Sequence, residues 1–92
     1  MNVELDLDLV KRLKKLDVRI RKSFKERIIK FSKNPQNKQL NNHPLKKEWL
    51  GHISIDITAD WRAIYKKIPE GSTTVAYFVA IGTHKDLYGS QG

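Results

Sequence analysis

Residues Thr73–Tyr88 read TTVAYFVAIGTHKDLY, and this stretch decides the architecture. Val75, Tyr77, Val79 and Ile81 fall on one face of an extended chain, and Ala76, Phe78 and Ala80 on the other. A segment that is apolar on both faces predicts a central strand covered on both sides. After Gly82 the run breaks into Thr83, His84, Lys85 and Asp86 and recovers only Leu87 and Tyr88. A strand leaving the core thus delivers a histidine and a tyrosine to its end.

Working outward, DWRAIYKKI (60–68) is a second extended run, joined to the first by the turn sequence PEGS (69–72). Before it, Ile53, Ile55 and Ile57 alternate with Ser54, Asp56 and Thr58, the period of a strand. These segments predict consecutive antiparallel hairpin partners. Farther back, VELDLDL (3–9) alternates apolar and acidic residues, a short strand giving way to a helix capped by Asp6 or Asp8. Asp17 is positioned to cap a second helix, in which Ile20, Phe24, Ile28 and Phe31 form one apolar stripe. Arginines and lysines crowd its other sides, and KNPQN (33–37) ends it because proline cannot continue the helical ladder. Residues 40–47, LNNHPLKK, are polar and aperiodic and predict a connecting loop. The expected fold is α+β over residues 1–92 as a single domain: an N-terminal α-helical hairpin packed on a small antiparallel β-sheet, whose other face is partly open and concave.

A hydrophobic content of 39% supports one modest core. The absence of cysteine excludes disulfides and thiolate metal sites, and implies a reducing, cytoplasmic setting. No apolar run approaches the ~20 residues of a membrane span, and the acidic start does not resemble a signal peptide. Eighteen Lys plus Arg against ten Asp plus Glu leave a net charge of +8, most of it on the helical hairpin. Such a surface attracts a polyanion or an acidic protein partner.

Gly-rich phosphate loops, paired-histidine zinc motifs and cysteine nucleophiles are absent from the sequence. Polar residues instead gather near predicted strand ends: His43 with Lys46 and Lys47, Ser54 and Asp56, Asp60 and Arg62, and His84 with Lys85 and Tyr88. This set suits cleavage of RNA by its own 2′-hydroxyl. That reaction needs a base, an acid for the leaving 5′ oxygen, and cations to offset charge on phosphorus. Histidine serves either proton-transfer role near neutral pH, Lys and Arg supply charge, and tyrosine stacks on a base. No metal or other cofactor is called for. Each residue also has a plainer reading: His43 as a turn residue before Pro44, Asp60 as a satisfier of turn amides, Arg62 as the partner of Asp56 or Asp60. His52 has no distinctive context, and Trp61, Tyr65 and Tyr77 read as packing residues.

The segment LNNHPLKKEWLGHISIDITADWRAIYKK (40–67), followed by VAYFVAIGTHKDLYG (75–89), resembles the RelE/ParE superfamily of bacterial toxins. Within it the likeness is strongest to the YafQ and RelE/StbE-type mRNA interferases, through "NHPL", "DWR-IY" and "IGTH-LY"; the helical hairpin and Phe31–Pro35 extend it over the whole chain. The resemblance implies the toxin of a type II toxin–antitoxin pair that cleaves mRNA in the ribosomal A site, contacting ribosomal RNA and leaving a 2′,3′-cyclic phosphate and a 5′-hydroxyl. It also implies a cognate antitoxin that blocks the site, and through which the complex binds operator DNA. It assigns His43, Asp60 and His84 to the chemistry, Tyr88 to base contact or catalysis, and Arg62 to the phosphate. Asp56 stands where YafQ-like members carry a histidine, and Lys47 where a glycine often sits. A carboxylate at Asp56 does not reproduce imidazole's proton transfer and brings negative charge toward the phosphate, which Lys47 offsets. ParE-like relatives act on DNA gyrase instead, so a non-nucleolytic gyrase binder and a weakened toxin that chiefly binds its antitoxin are the alternatives.

Overall fold

The computed structural model describes residues 1–89. Strand β1 (Asn2–Leu5) leads into helices α1 (Leu7–Lys15) and α2 (Val18–Lys33). Asp6 caps α1 by accepting from the Asp8 amide, and Asp17 caps α2 by accepting from Arg19. Each bond satisfies an amide that the first helical turn leaves without a partner. The α2 stripe is buried at Phe24 and Phe31 and half-buried at Ile20 and Ile28, and the helix stops at Asn34 before Pro35.

Three further strands follow: β3 (Ile53–Asp56), β4 (Trp61–Glu70) and β5 (Thr73–Thr83). The 40–47 segment, expected to be loop, holds more structure than its composition suggests. It contributes the two-residue strand β2 (His43–Pro44), flanked by single 3-10 turns at Lys38–Leu40 and Lys47–Trp49. Two residues, one of them proline, are too few for a period to be read, and proline's missing N–H restricts it to an edge.

The sheet order is β1-β5-β4-β3-β2. The expected α+β architecture holds, and the sheet is mixed: β2 to β5 pair antiparallel, whereas β1 pairs parallel with β5, Asn2 opposite Val75 through Leu5 opposite Phe78. The helical hairpin supplies the crossover that a parallel pair requires. It covers one face of the sheet, where Phe31, Tyr65 and Phe78 stack with ring centroids 4.9–5.4 Å apart over Leu9, Leu40, Ile55 and Ile81. Edge-to-face and tilted rings at this spacing add to their burial energy. The opposite face is roofed at one end by a short helix, α3 (His84–Tyr88), formed where the sequence showed only the break after the apolar run. α3 seats directly on Gly82: a β-carbon there would lie 3.0 Å from Asp86 Cβ and 3.2 Å from Leu87 Cγ. Among the described residues, no helix is long and apolar enough to cross a membrane.

Candidate active site

On that second face a cleft of about 450 Å³ opens between the 43–49 segment and α3, with Ser54 and Arg62 among its lining residues. His43, Lys46, Lys47, His84 and Tyr88 also line it, so seven residues singled out in the sequence meet Trp49 around one space.

His43 is fixed by its place in β2, opposite Ser54 of β3. Its Nδ1 lies 2.7 Å from the Asn41 carbonyl oxygen. A carbonyl only accepts, so Nδ1 carries the proton of the neutral ring and Nε2 keeps a lone pair. Asn41 reaches this position in the left-handed region at φ 47°, which asparagine tolerates. Lys47 is also left-handed, at φ 56°. This conformation gives a physical reason for glycine at that place in the resemblance, and Lys47 accepts a local backbone strain of roughly 1–2 kcal/mol to present an ammonium there. Trp49 closes the end of the cleft, donating from Nε1 to the Leu87 carbonyl at 3.0 Å and tying the 43–49 wall to α3. His52 packs edge-on against Trp49, 5.3 Å between centroids, consistent with a structural role.

Arg62 and Asp56 face each other across β4 and β3, with Arg62 Nε 3.0 Å from Asp56 Oδ1. Both are largely shielded, at 21% and 27% side-chain exposure, so the Asp56 charge is neutralised locally instead of facing the cleft unpaired. Arg62 Nη1 further donates to the carbonyls of Thr58, Ala59 and Trp61. Of its nitrogens only Nη2 remains uncommitted to these partners. The Ser54 hydroxyl is fully buried and has no hydrogen-bond partner among the described residues.

On the far wall, α3 begins with a reciprocal capping box: Asp86 N donates to Thr83 Oγ1 and Thr83 N donates to Asp86 Oδ2, each at 3.1 Å. The Thr83 amide, then its hydroxyl, hold the Asp86 carboxyl below the usual range, with Arg12 and Lys85 adding charge. One turn apart on the same face, the His84 and Tyr88 rings stack edge-on at 4.7 Å.

Three of the predicted site residues do not line the cleft: Asp56, which lies behind Arg62, and Asp60 and Lys85, which stand apart. Asp60 is exposed in the β3–β4 turn and lines a neighbouring depression with Asp17, Arg19 and Trp61, not the cleft. Nor is it the satisfier of the turn amides: Thr58 Oγ1 accepts from Asp60 N and Trp61 N. What Asp60 gives the cleft is backbone, since its carbonyl accepts from His84 N at 3.3 Å. Lys85 is exposed and is not among the cleft residues. Conversely, Trp49 lines the cleft although its only signal in the sequence is an aromatic within an otherwise polar segment. Among the described residues, no group of three His, Cys, Asp or Glu side chains is arranged to hold a metal ion.

The helical hairpin, mixed sheet and two-histidine cleft agree with the resemblance seen in the sequence, and the toxin class is given by the family that matches: the family described as bacterial toxin of type II toxin–antitoxin system, YafQ, matches residues 6–89. The chain belongs to the YafQ family. Among solved structures it is similar to YafQ from E. coli strain BL21(DE3), with a TM-score of 0.75 and 24% identity over 96% of this chain and 98% of that one. A YoeB/ParE toxin from Agrobacterium tumefaciens shares the fold at TM-score 0.71 and 22% identity, covering 91% and 99%. The E. coli DinJ–YafQ complex matches at 26% identity and TM-score 0.63, covering 96% and 98%. No curated protein sequence matches significantly.

Proposed function

We propose that this toxin is an endoribonuclease that cleaves mRNA on the ribosome by intramolecular attack of a 2′-hydroxyl. The observation that carries this reading is the pair of imidazoles lining one cleft with cations beside them: His43 with Nε2 free, and His84 at the head of α3. His43 Nε2 takes the proton from the 2′-hydroxyl as its oxygen attacks phosphorus. The bond from phosphorus to the 5′ oxygen breaks, and protonated His84 gives that oxygen its proton. The products are a 2′,3′-cyclic phosphate and a 5′-hydroxyl. Lys46, Lys47 and Nη2 of Arg62 offset the charge that grows on the phosphate oxygens, and Tyr88 stacks against a base. Each proton-transfer group is worth about 10²–10⁴ in rate. Asp56 acts through Arg62, holding the guanidinium at the cleft, and not as a proton-transfer group.

The relatives solved as toxin–antitoxin complexes, DinJ–YafQ from E. coli and RelBE2 from Mycobacterium tuberculosis, support a cognate antitoxin as partner. A cytoplasmic setting and a link to operator DNA through that antitoxin are part of the same proposal. The test is growth arrest on induction in a bacterial host. His84→Ala should relieve arrest while circular dichroism and the unfolding midpoint stay near wild type. A stably folded His84→Ala protein that arrests growth as strongly as wild type would refute the assignment.

A further inference from the structure

His84 is exposed, and among the described residues its ring makes no hydrogen bond to the protein. Its position is therefore set by the backbone that carries it and by its stack on Tyr88. That backbone belongs to a helix of five residues, far below the ~12–15 residues at which a helix holds itself in water. Contacts from elsewhere must fix it. Within α3 there is the Thr83–Asp86 capping box, and from the cleft's other wall comes the Trp49 bond to Leu87 O. A further set comes from the opposite end of the chain. Arg12, on α1, donates from Nε to the carbonyl of Ile81 at 2.8 Å, and its Nη2 lies 3.6 Å from Asp86 Oδ2. One guanidinium thus grips both the last turn of β5 before the bend and the carboxylate that caps the helix after it.

We propose that Arg12 and Asp86 are positioning residues that hold His84 at the cleft, a role resting on the RNA-cleavage reading above. Neither touches the cleft. The Arg12–Asp86 contact itself is half-exposed, at 46% and 50%, so it contributes little to global stability. Its consequence is geometric. Asp86 fixes the direction in which α3 leaves the strand, and Arg12 keeps that carboxylate and the Ile81 carbonyl in register. A shift of ~1 Å at a reacting group costs on the order of 100-fold in rate. Loosening the clasp should therefore lower kcat and leave KM, which depends on Lys46 and Lys47, nearly unchanged.

The experiment compares the full chain with Asp86→Ala, Asp86→Glu and Arg12→Met, the last keeping an apolar stem. Two readouts are taken on each. One is the proton NMR signal of the His84 ring, displaced in wild type by the Tyr88 ring beside it. The other is kcat and KM for cleavage. Asp86→Ala and Arg12→Met should move the His84 signal toward its free-histidine position and lower kcat roughly 10–100-fold with KM within about twofold, while Phe31, Tyr65 and Phe78 signals stay put. Asp86→Glu should restore both, because glutamate is the usual partner at this position of a capping box. An unchanged His84 signal in Asp86→Ala and Arg12→Met would overturn the proposal, as would Asp86→Glu failing as badly as Asp86→Ala. If the wild-type chain cleaves no RNA, the cleavage reading falls, and the His84 signal alone still decides whether the clasp positions that ring.

Discussion

Replacing Gly82 by alanine tests how tightly catalysis depends on the seat of α3. The added methyl would meet Asp86 Cβ at 3.0 Å and two Leu87 carbons at 3.2 and 3.3 Å. Leu87 can swing its tip aside, but a β-carbon moves only with its backbone, so α3 must lift by several tenths of an ångström. Overpacking of this kind costs about 1–3 kcal/mol. The contacts holding α3 are of the same order: a capping interaction of about 0.5–2 kcal/mol and the Trp49 hydrogen bond of about 0.5–1.5 kcal/mol. The strain is therefore released by displacing α3, while the aromatic core on the other face stays intact. Urea unfolding should show a loss of no more than about 3 kcal/mol, and cleavage should fall on the order of 100-fold through misplacement of His84. A control is Gly71→Ala in the β4–β5 hairpin, where φ is 61° and nothing lies within 4 Å of the new methyl. That change should cost about 1 kcal/mol in backbone strain and leave cleavage untouched. Gly82→Ala protein that cleaves within about threefold of wild type would refute the reasoning, because α3 would then be free to shift without consequence.

Stability should fall at both ends of the pH scale. Asp6 is held below its ordinary range chiefly by the Tyr77 hydroxyl, and Asp86 chiefly by the Thr83 amide; depressed carboxyls contribute stability above pH ~4 that is lost as pH falls through their folded values. Tyr77 is raised by its 2.6 Å bond to Asp6 and Tyr65 by burial; raised phenols contribute stability fully present below pH ~10 and lost as pH climbs through their folded values. Urea midpoints for Tyr77→Phe should be less pH-dependent at both extremes, and identical slopes would contradict this account. Asp56→Asn removes the partner of a shielded guanidinium and should cost about 1–2 kcal/mol on urea unfolding, while added positive charge at the cleft tightens RNA binding; weaker binding by a folded variant would show that Asp56 does more than neutralise Arg62. Lys47→Gly relieves left-handed strain but adds chain entropy, so stability should stay within about 1 kcal/mol. The same change should lower the salt dependence of RNA binding by about one phosphate contact in a filter-binding titration, and an unaltered slope would remove Lys47 from the interface.

The fold was legible wherever a period ran long enough to be counted. The α2 stripe at Ile20, Phe24, Ile28 and Phe31 and the alternation of β5 as far as Phe78 each repeat several times, so burial dictates them locally; the register shift at Ile64/Tyr65 then puts Ile81 on the face of Phe78, against the simple alternation. The parallel pairing of Asn2–Leu5 with Val75–Phe78 was not legible, because no local feature links segments at opposite ends of the chain. β2 and α3 escaped for another reason: two and five residues are too short to show a period, and their geometry comes from Ser54, Trp49 and Gly82 beneath them. Around the cleft, His43, Lys46, Lys47, Arg62, His84 and Tyr88 were all visible as polar groups near strand ends. Asp60 lies outside the cleft, and its turn reading was not legible because turn sequences favour aspartate and threonine alike, and Thr58 took the amides. Arg12 could not be found from sequence, being one of many basic residues on the hairpin until its grip on Ile81 is seen.

The central claim is that the two-histidine cleft cuts mRNA. It is tested most directly by mapping mRNA 5′ ends by primer extension after brief induction, beside the same experiment with His84→Ala. The account predicts new ends within translated codons, carrying 5′-hydroxyls and absent with the variant. Intact message in cells that nonetheless stop growing, with replication arrested, would contradict it and point to a gyrase-directed toxin on the same fold.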